Sequence, residues 1–76
     1  MGHDMREEDA RAIATTFIAS LDARGFRYAL AEARRGDRFE WCVSFDVFNP
    51  GGHLMDGPVV VLVDGRTRKA RLLEGL

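Results

Sequence analysis

Residues Arg38 to Phe48 read RFEWCVSFDVF, and apolar and polar side chains alternate along them almost without a break. Phe39, Trp41, Val43, Phe45 and Val47 fall on one side, Glu40, Cys42, Ser44 and Asp46 on the other. Successive side chains of an extended chain point to opposite faces, so a period of two at this length predicts a strand with one face buried. One-sided burial belongs to antiparallel sheets, so the segment commits the chain to an antiparallel sheet with an apolar layer over one face.

The covering layer is predicted upstream. Over Asp4–Arg24 the apolar residues Ala10, Ile13, Ala14, Phe17, Ile18 and Leu21 recur at spacings of three and four, which draws one stripe along a helix. Asp4 is the expected N-cap, with Glu7 three residues on in capping-box position. Glu7, Glu8 and Asp9 place negative charge in the opening turns, where the helix dipole favours it. Gly25 is the expected stop.

Three further strands are read from the remaining pattern. Phe26–Arg34 alternates through Phe26, Tyr28 and Leu30, and Arg35–Asp37 (RGD) forms a turn into the Arg38 strand. Residues 49–57 form a loop broken by Pro50, Gly51, Gly52 and Gly57. The next run, PVVVLVD over Pro58–Asp64, is apolar on both faces, which predicts a central or doubly covered strand. Pro58 is tolerated at its start because only the first ladder position loses its donor. The segment DGRTR turns the chain, and KARLLEG returns as a hairpin strand with Ala70 and Leu72 on one face. Residues 67–74 also suit a short helix, since Lys, Ala, Arg and Leu favour one. The fold class expected is α+β: an N-terminal amphipathic helix packed on an antiparallel meander of about four strands.

Length then limits the stability of such a fold. The chain has 76 residues, read as a single domain over 1–76. A domain of this size buries only about 60% of the surface its unfolded chain exposes. The doubly apolar strand and the marginal core together predict a symmetric homodimer through the sheet. With Cys42 as the one cysteine, no internal disulfide forms, which suits a reducing cytoplasm. The opening MGHDMREEDA is charged and is not read as a secretory leader, and no apolar run approaches the roughly 18 residues of a spanning helix.

Chemistry-bearing residues are sparse. His3 and His53 lack ligand spacing with Cys42 or Asp56, so no metal site is expected. Cys42 lies mid-strand, away from any helix N-terminus that would lower its pKa, and reads as a small sheet residue rather than a nucleophile. The glycines at 51, 52 and 57 do not form a phosphate loop, because no lysine and helix start follow them. No catalytic residue and no cofactor are expected.

Charge is the remaining signal. The net charge of −1 gives no bulk pull toward nucleic acid or anionic membrane. Arg34, Arg35 and Arg38 nevertheless cluster at one turn, and Arg66, Arg68, Lys69 and Arg71 cluster at the tail. The tail cluster is the candidate partner-binding surface. Both clusters together would serve a nucleic-acid-binding module, but the aromatics Phe39 and Trp41 fall on the face expected to be buried, which removes the stacking platforms.

The order helix, W-x-V-x-F (Trp41, Val43, Phe45), loop, and GPVVVLVDGRTRKARLLEG resembles the YrhB-like group, also classed as immunity protein 35, of bacterial polymorphic-toxin loci. Gly57, Pro58, Val63, Asp64 and Thr67 match its pattern, Ala70 and Leu73 fit its apolar spacing, and Gly75 falls near its closing glycine. Arg68 stands where the group carries glycine, so the turn is expected to close on Gly65 instead. The resemblance implies a non-enzymatic cytoplasmic protein that binds and neutralises a cognate toxin. It transfers no binding residues, since those shared are determinants of fold.

Overall fold

The alternating strand sits second in the sheet. A computed structural model describes residues 5–73 of the chain and orders them as helix α1 (Glu7–Ala19), then strands β1 (Arg27–Arg35), β2 (Glu40–Phe48), β3 (Val59–Asp64) and β4 (Ala70–Leu72). The strands form one antiparallel sheet in the order β1-β2-β3-β4, a meander with the helix on one face. Fold class and element order agree with the sequence reading. Among the described residues no helix is long and apolar enough to cross a membrane.

Register carries the period-two pattern across the sheet. Trp41, Val43 and Phe45 face Val63, Val61 and Val59, and Ala70 and Leu72 continue two of these rows. Trp41, Val43, Phe45, Val61 and Val63 are buried beneath Ala10, Ala14 and Ile18 of α1. Ala10 and Ala14 are fully buried, so the helix backbone lies close to the sheet, while Ile13, Phe17 and Leu21 flank the contact half-buried.

The helix is shorter than its sequence pattern. Asp4 lies outside the described residues, and the helix opens instead at Glu7 with Arg6 as N-cap. Arg6 has no acceptor in its side chain, and its own backbone N–H donates to the Asp9 carboxylate at 3.3 Å. Asp9 therefore takes the role expected of Glu7. Met5, one residue before the cap, is buried in the same core as Ala10, as in a hydrophobic staple. At the other end the helix stops at Ala19 rather than Arg24. The Ser20 hydroxyl donates to the Phe17 carbonyl at 2.6 Å, which competes with continuation of the helix. Leu21 still reaches the core from the turn, so the apolar stripe outlasts the helical backbone. Arg24 and Gly25, both at positive φ, then swing the chain into β1.

Strand β1 breaks its own alternation. Leu30 pairs with Phe45 and Glu32 with Ser44, so Ala31 is the extra residue of a bulge. Tyr28 and Ala33 pack on the core from either side of it, and no residue of β1 is fully buried.

The far face of β3 has its own shielding. Leu62 is only 7% exposed there, in register between Cys42 and Arg71. The stems of long charged neighbours cover such a residue while their heads stay in water. Leu73 is exposed and Leu76 lies outside the described residues.

Candidate protein-interaction surface

Two turns meet at one end of the sheet. The β1–β2 turn closes with the Gly36 N–H donating to the Glu40 carbonyl at 2.8 Å and the Glu40 N–H to Asp37 at 2.9 Å. Pairing of Glu40 with Asp64 brings the β3–β4 turn beside it. The Gly65 N–H then donates to the Phe39 carbonyl at 2.8 Å. A Cβ on Gly65 would stand 2.6 Å from that oxygen, so this close backbone approach requires glycine.

Asp64 organises the second turn. Its Oδ1 accepts from the N–H groups of Arg66 at 2.7 Å and Thr67 at 3.2 Å, and its carbonyl accepts from the Arg68 N–H at 2.8 Å. The backbone donors of Arg66 and Thr67, with the Arg66 charge adding, hold its carboxyl below the usual carboxylate range. Arg68 itself takes the left-handed conformation, φ 63°, at the position expected for glycine. The turn thus closes on Arg68, and Gly65 serves the close approach instead. Arg38 in the facing turn is also left-handed, φ 52°.

The consequence falls on Phe39. The alternation placed it in the core, but β2 starts at Glu40 and Phe39 is 47% exposed. The Arg66 guanidinium lies over its ring, 5.0 Å from the centroid. The ring and Arg66 border a hollow of about 290 Å³ shared with Arg38 and the acids Asp37, Glu40 and Asp64. Sequence reasoning missed Phe39 because a strand's first alternating residue and a turn's last residue look alike. The signal was the RGDR turn immediately before it, which leaves the ring above the last covered row.

The two basic clusters are divided by the fold. Arg66 joins Phe39, while Lys69 and Arg71 line a separate hollow on the uncovered face with Glu40 and Asp64. Arg71 donates to the Glu40 carboxylate at 3.2 Å. Arg68 is exposed on the turn between them. Arg35 lies over the Trp41 ring at 5.2 Å, and Arg34 is 3.9 Å from Glu32 on the uncovered face. Arg38 is the member of its cluster that meets Arg66.

Elsewhere the chemistry is thin. Cys42 is a half-buried free thiol beside the Gly36 backbone. His53 sits in the loop at the opposite end of the sheet, its N–H bound to Asn49 Oδ1, and His3 lies outside the described residues. Among the described residues no three His, Cys, Asp or Glu side chains converge on one point.

No protein-family model, curated protein or solved structure matches the chain. The double turn therefore has to be interpreted from its own geometry.

Proposed function

We propose that this chain is a non-catalytic protein-binding domain of the immunity type, which docks on a cognate toxin in the cytoplasm and occludes its working surface. The observation that carries the reading is Phe39, an exposed aromatic held under Arg66 by two locked turns. Aromatic residues and arginine dominate the energetic centres of protein interfaces. Here the backbone at both residues is fixed before any partner arrives, by the Gly65 N–H to the Phe39 carbonyl and the Arg66 N–H to the Asp64 carboxylate, which limits the backbone entropy lost on binding. Arg38 and Arg68 on the flanking turns, with Asp37, Glu40 and Asp64 in the hollow, suit a partner surface of mixed charge.

A second reading is a single-strand nucleic-acid module, since an exposed ring beside arginines is also a base-stacking platform. The hollow beside the ring disfavours it. Asp37, Glu40 and Asp64 line that hollow and would repel a phosphate backbone, whereas a protein partner can present basic groups to them.

Co-expression with a toxin, should one be encoded beside this chain's gene, tests the reading. The expected outcome is restored host growth and a stable complex with the toxin. Absence of protection, together with salt-sensitive binding of a fluorescent ten-nucleotide oligouridylate, would overturn it in favour of the nucleic-acid module.

A further inference from the structure

Three arginines, Arg24, Arg38 and Arg68, hold the left-handed backbone conformation, at φ 51°, 52° and 63°. A residue with a Cβ is crowded there and glycine is not, so glycine would fill each position with less strain. Arg24 has a local partner, since its guanidinium lies 3.5 Å from the Asp22 carboxylate. Arg38 and Arg68 differ from it. Among the described residues neither guanidinium makes a hydrogen bond, an ion pair or a ring contact.

The turns close without those side chains. In the β1–β2 turn the Gly36 N–H donates to the Glu40 carbonyl and the Glu40 N–H to the Asp37 carbonyl. In the β3–β4 turn the Arg68 N–H donates to the Asp64 carbonyl and the Asp64 N–H to the Lys69 carbonyl, while the Asp64 carboxylate holds the N–H groups of Arg66 and Thr67. A glycine at 38 or 68 would keep every one of these bonds. Arginines elsewhere are engaged: Arg11 with Glu7, Arg34 with Glu32, Arg71 with Glu40, and Arg27 over the Phe48 ring. The two that are both strained and unengaged stand at the same end of the sheet, on the two turns that Gly65 joins at Phe39.

Strained backbone held by its surroundings is characteristic of functional loops. We propose, resting on the reading of this end as a protein-binding surface, that Arg38 and Arg68 are its specificity-determining residues, each receiving a carboxylate of the partner. A guanidinium presents a planar fork of N–H donors that matches a carboxylate and is less strongly hydrated than an ammonium group. The hollow beside Arg38 is lined by Asp37, Glu40 and Asp64, so a purely acidic segment would be repelled between the two arginines. The segment that fits carries acids on either side of a basic residue: the carboxylates meet Arg38 and Arg68, and the cation enters the hollow.

Glycine substitution separates the fold from recognition. Arg38→Gly and Arg68→Gly should each melt no lower than the parent, because the strain is relieved and no contact is lost. Binding is read with the blocked peptide EGKGE, whose alternate residues share one face when extended, and with its charge-inverted counterpart KGEGK. Each is titrated at millimolar concentration into labelled full-length protein and followed by the arginine Nε–H signals in NMR. EGKGE should shift the signals of Arg38 and Arg68 and leave those of Arg34 and Arg71, which Glu32 and Glu40 already hold. Its dissociation constant should rise about threefold in either glycine variant and about tenfold in the double variant, and KGEGK should bind the parent at least about threefold more weakly. Lysine at either position keeps the charge without the fork and should fall between parent and glycine. The assignment is overturned by a glycine variant that melts lower than the parent, by one that binds EGKGE as the parent does, by no shift at Arg38 and Arg68, or by equal binding of the two peptides. Toxin protection and oligouridylate binding use neither peptide, so failure here leaves the proposed function standing, and failure there with EGKGE still bound strikes that reading alone.

Discussion

Strands β1 and β2 are each nine residues long and are hydrogen-bonded neighbours, yet they differ in almost every other respect. Strand β2 buries Trp41, Val43, Phe45 and Val47 in an unbroken alternation and is paired on both sides. Strand β1 buries nothing completely, is bulged at Ala31 and, among the described residues, leaves one edge unpaired. The difference shows how a small domain divides its labour. Strand β2 and its partner β3 form the scaffold, with Val43, Val61 and Val63 at 0% exposure. Strand β1 and the turn that leaves it supply accessible surface held in place by that scaffold.

Removing a large side chain from each strand should give very different costs. Phe45, 2% exposed at the centre, is expected to cost about 3–5 kcal/mol on truncation to Ala, because a cavity is left in a packed core. Leu30→Ala should cost under about 1 kcal/mol, since much of its side chain already meets water. Urea denaturation measures both, and equal costs would erase the distinction.

Gly65→Ala probes the join between scaffold and surface. The added methyl meets the Phe39 carbonyl oxygen and must push the two turns apart. The expected cost is about 1–3 kcal/mol, the scale of overpacking, with a changed environment at the Phe39 ring seen by NMR. A neutral result would mean that the turns are not locked together.

Arg68→Gly should act in the opposite direction and more weakly. Relief of the left-handed strain is offset by the larger entropy of a glycine in the unfolded chain, leaving a stabilisation of a few tenths of a kcal/mol, up to about 1. Thermal melts of the pair would show it, and a destabilised variant would mean that the Arg68 side chain supports the turn.

The smallest expected effect is one of pH. The Asp64 carboxyl is held below its ordinary value of 3.8 in the folded chain, so its contribution is complete above that value and is lost as pH falls through the lower folded one. Asp64→Asn keeps the acceptor oxygen but not the charge. Its stability deficit relative to the parent should therefore shrink as pH drops below about 3.8. A deficit unchanged between neutral and strongly acidic pH would show that the charge contributes nothing to the turn.

The scaffold was legible in the sequence and much of the surface was not. Period-two alternation from Trp41 to Val47 and the three-and-four stripe from Ala10 to Leu21 are repeated signals, and burial of one face enforces each of them. The ends of elements rest on single residues. Ser20 ended the helix early through one hydroxyl, and Phe39 left the core because the strand began one residue after it. The bulge at Ala31 has no sequence signature, since in this strand of alanines either register keeps an apolar residue inward. Arg68 in a left-handed turn is set by the Asp64 hydrogen bonds around it, a tertiary cause that residue preference does not reveal. The candidate surface depends on these single-residue events, so it emerged only from the fold.

Native-state amide hydrogen exchange tests the sealed scaffold and open edge together. Val43, Phe45, Val61 and Val63, whose amides lie within the β2–β3 ladder, should exchange only through global unfolding. Along β1 the protection should alternate: Arg27 and Ala29 slow, Tyr28 and Leu30 fast. The Met55 N–H donates to the Val47 carbonyl, so Asp46 and Phe48 point toward β1 and bind Ala29 and Arg27, which leaves Tyr28 and Leu30 facing the free edge. Uniform protection across residues 27–30 would contradict the account, since it would mean that the edge of β1 is already paired.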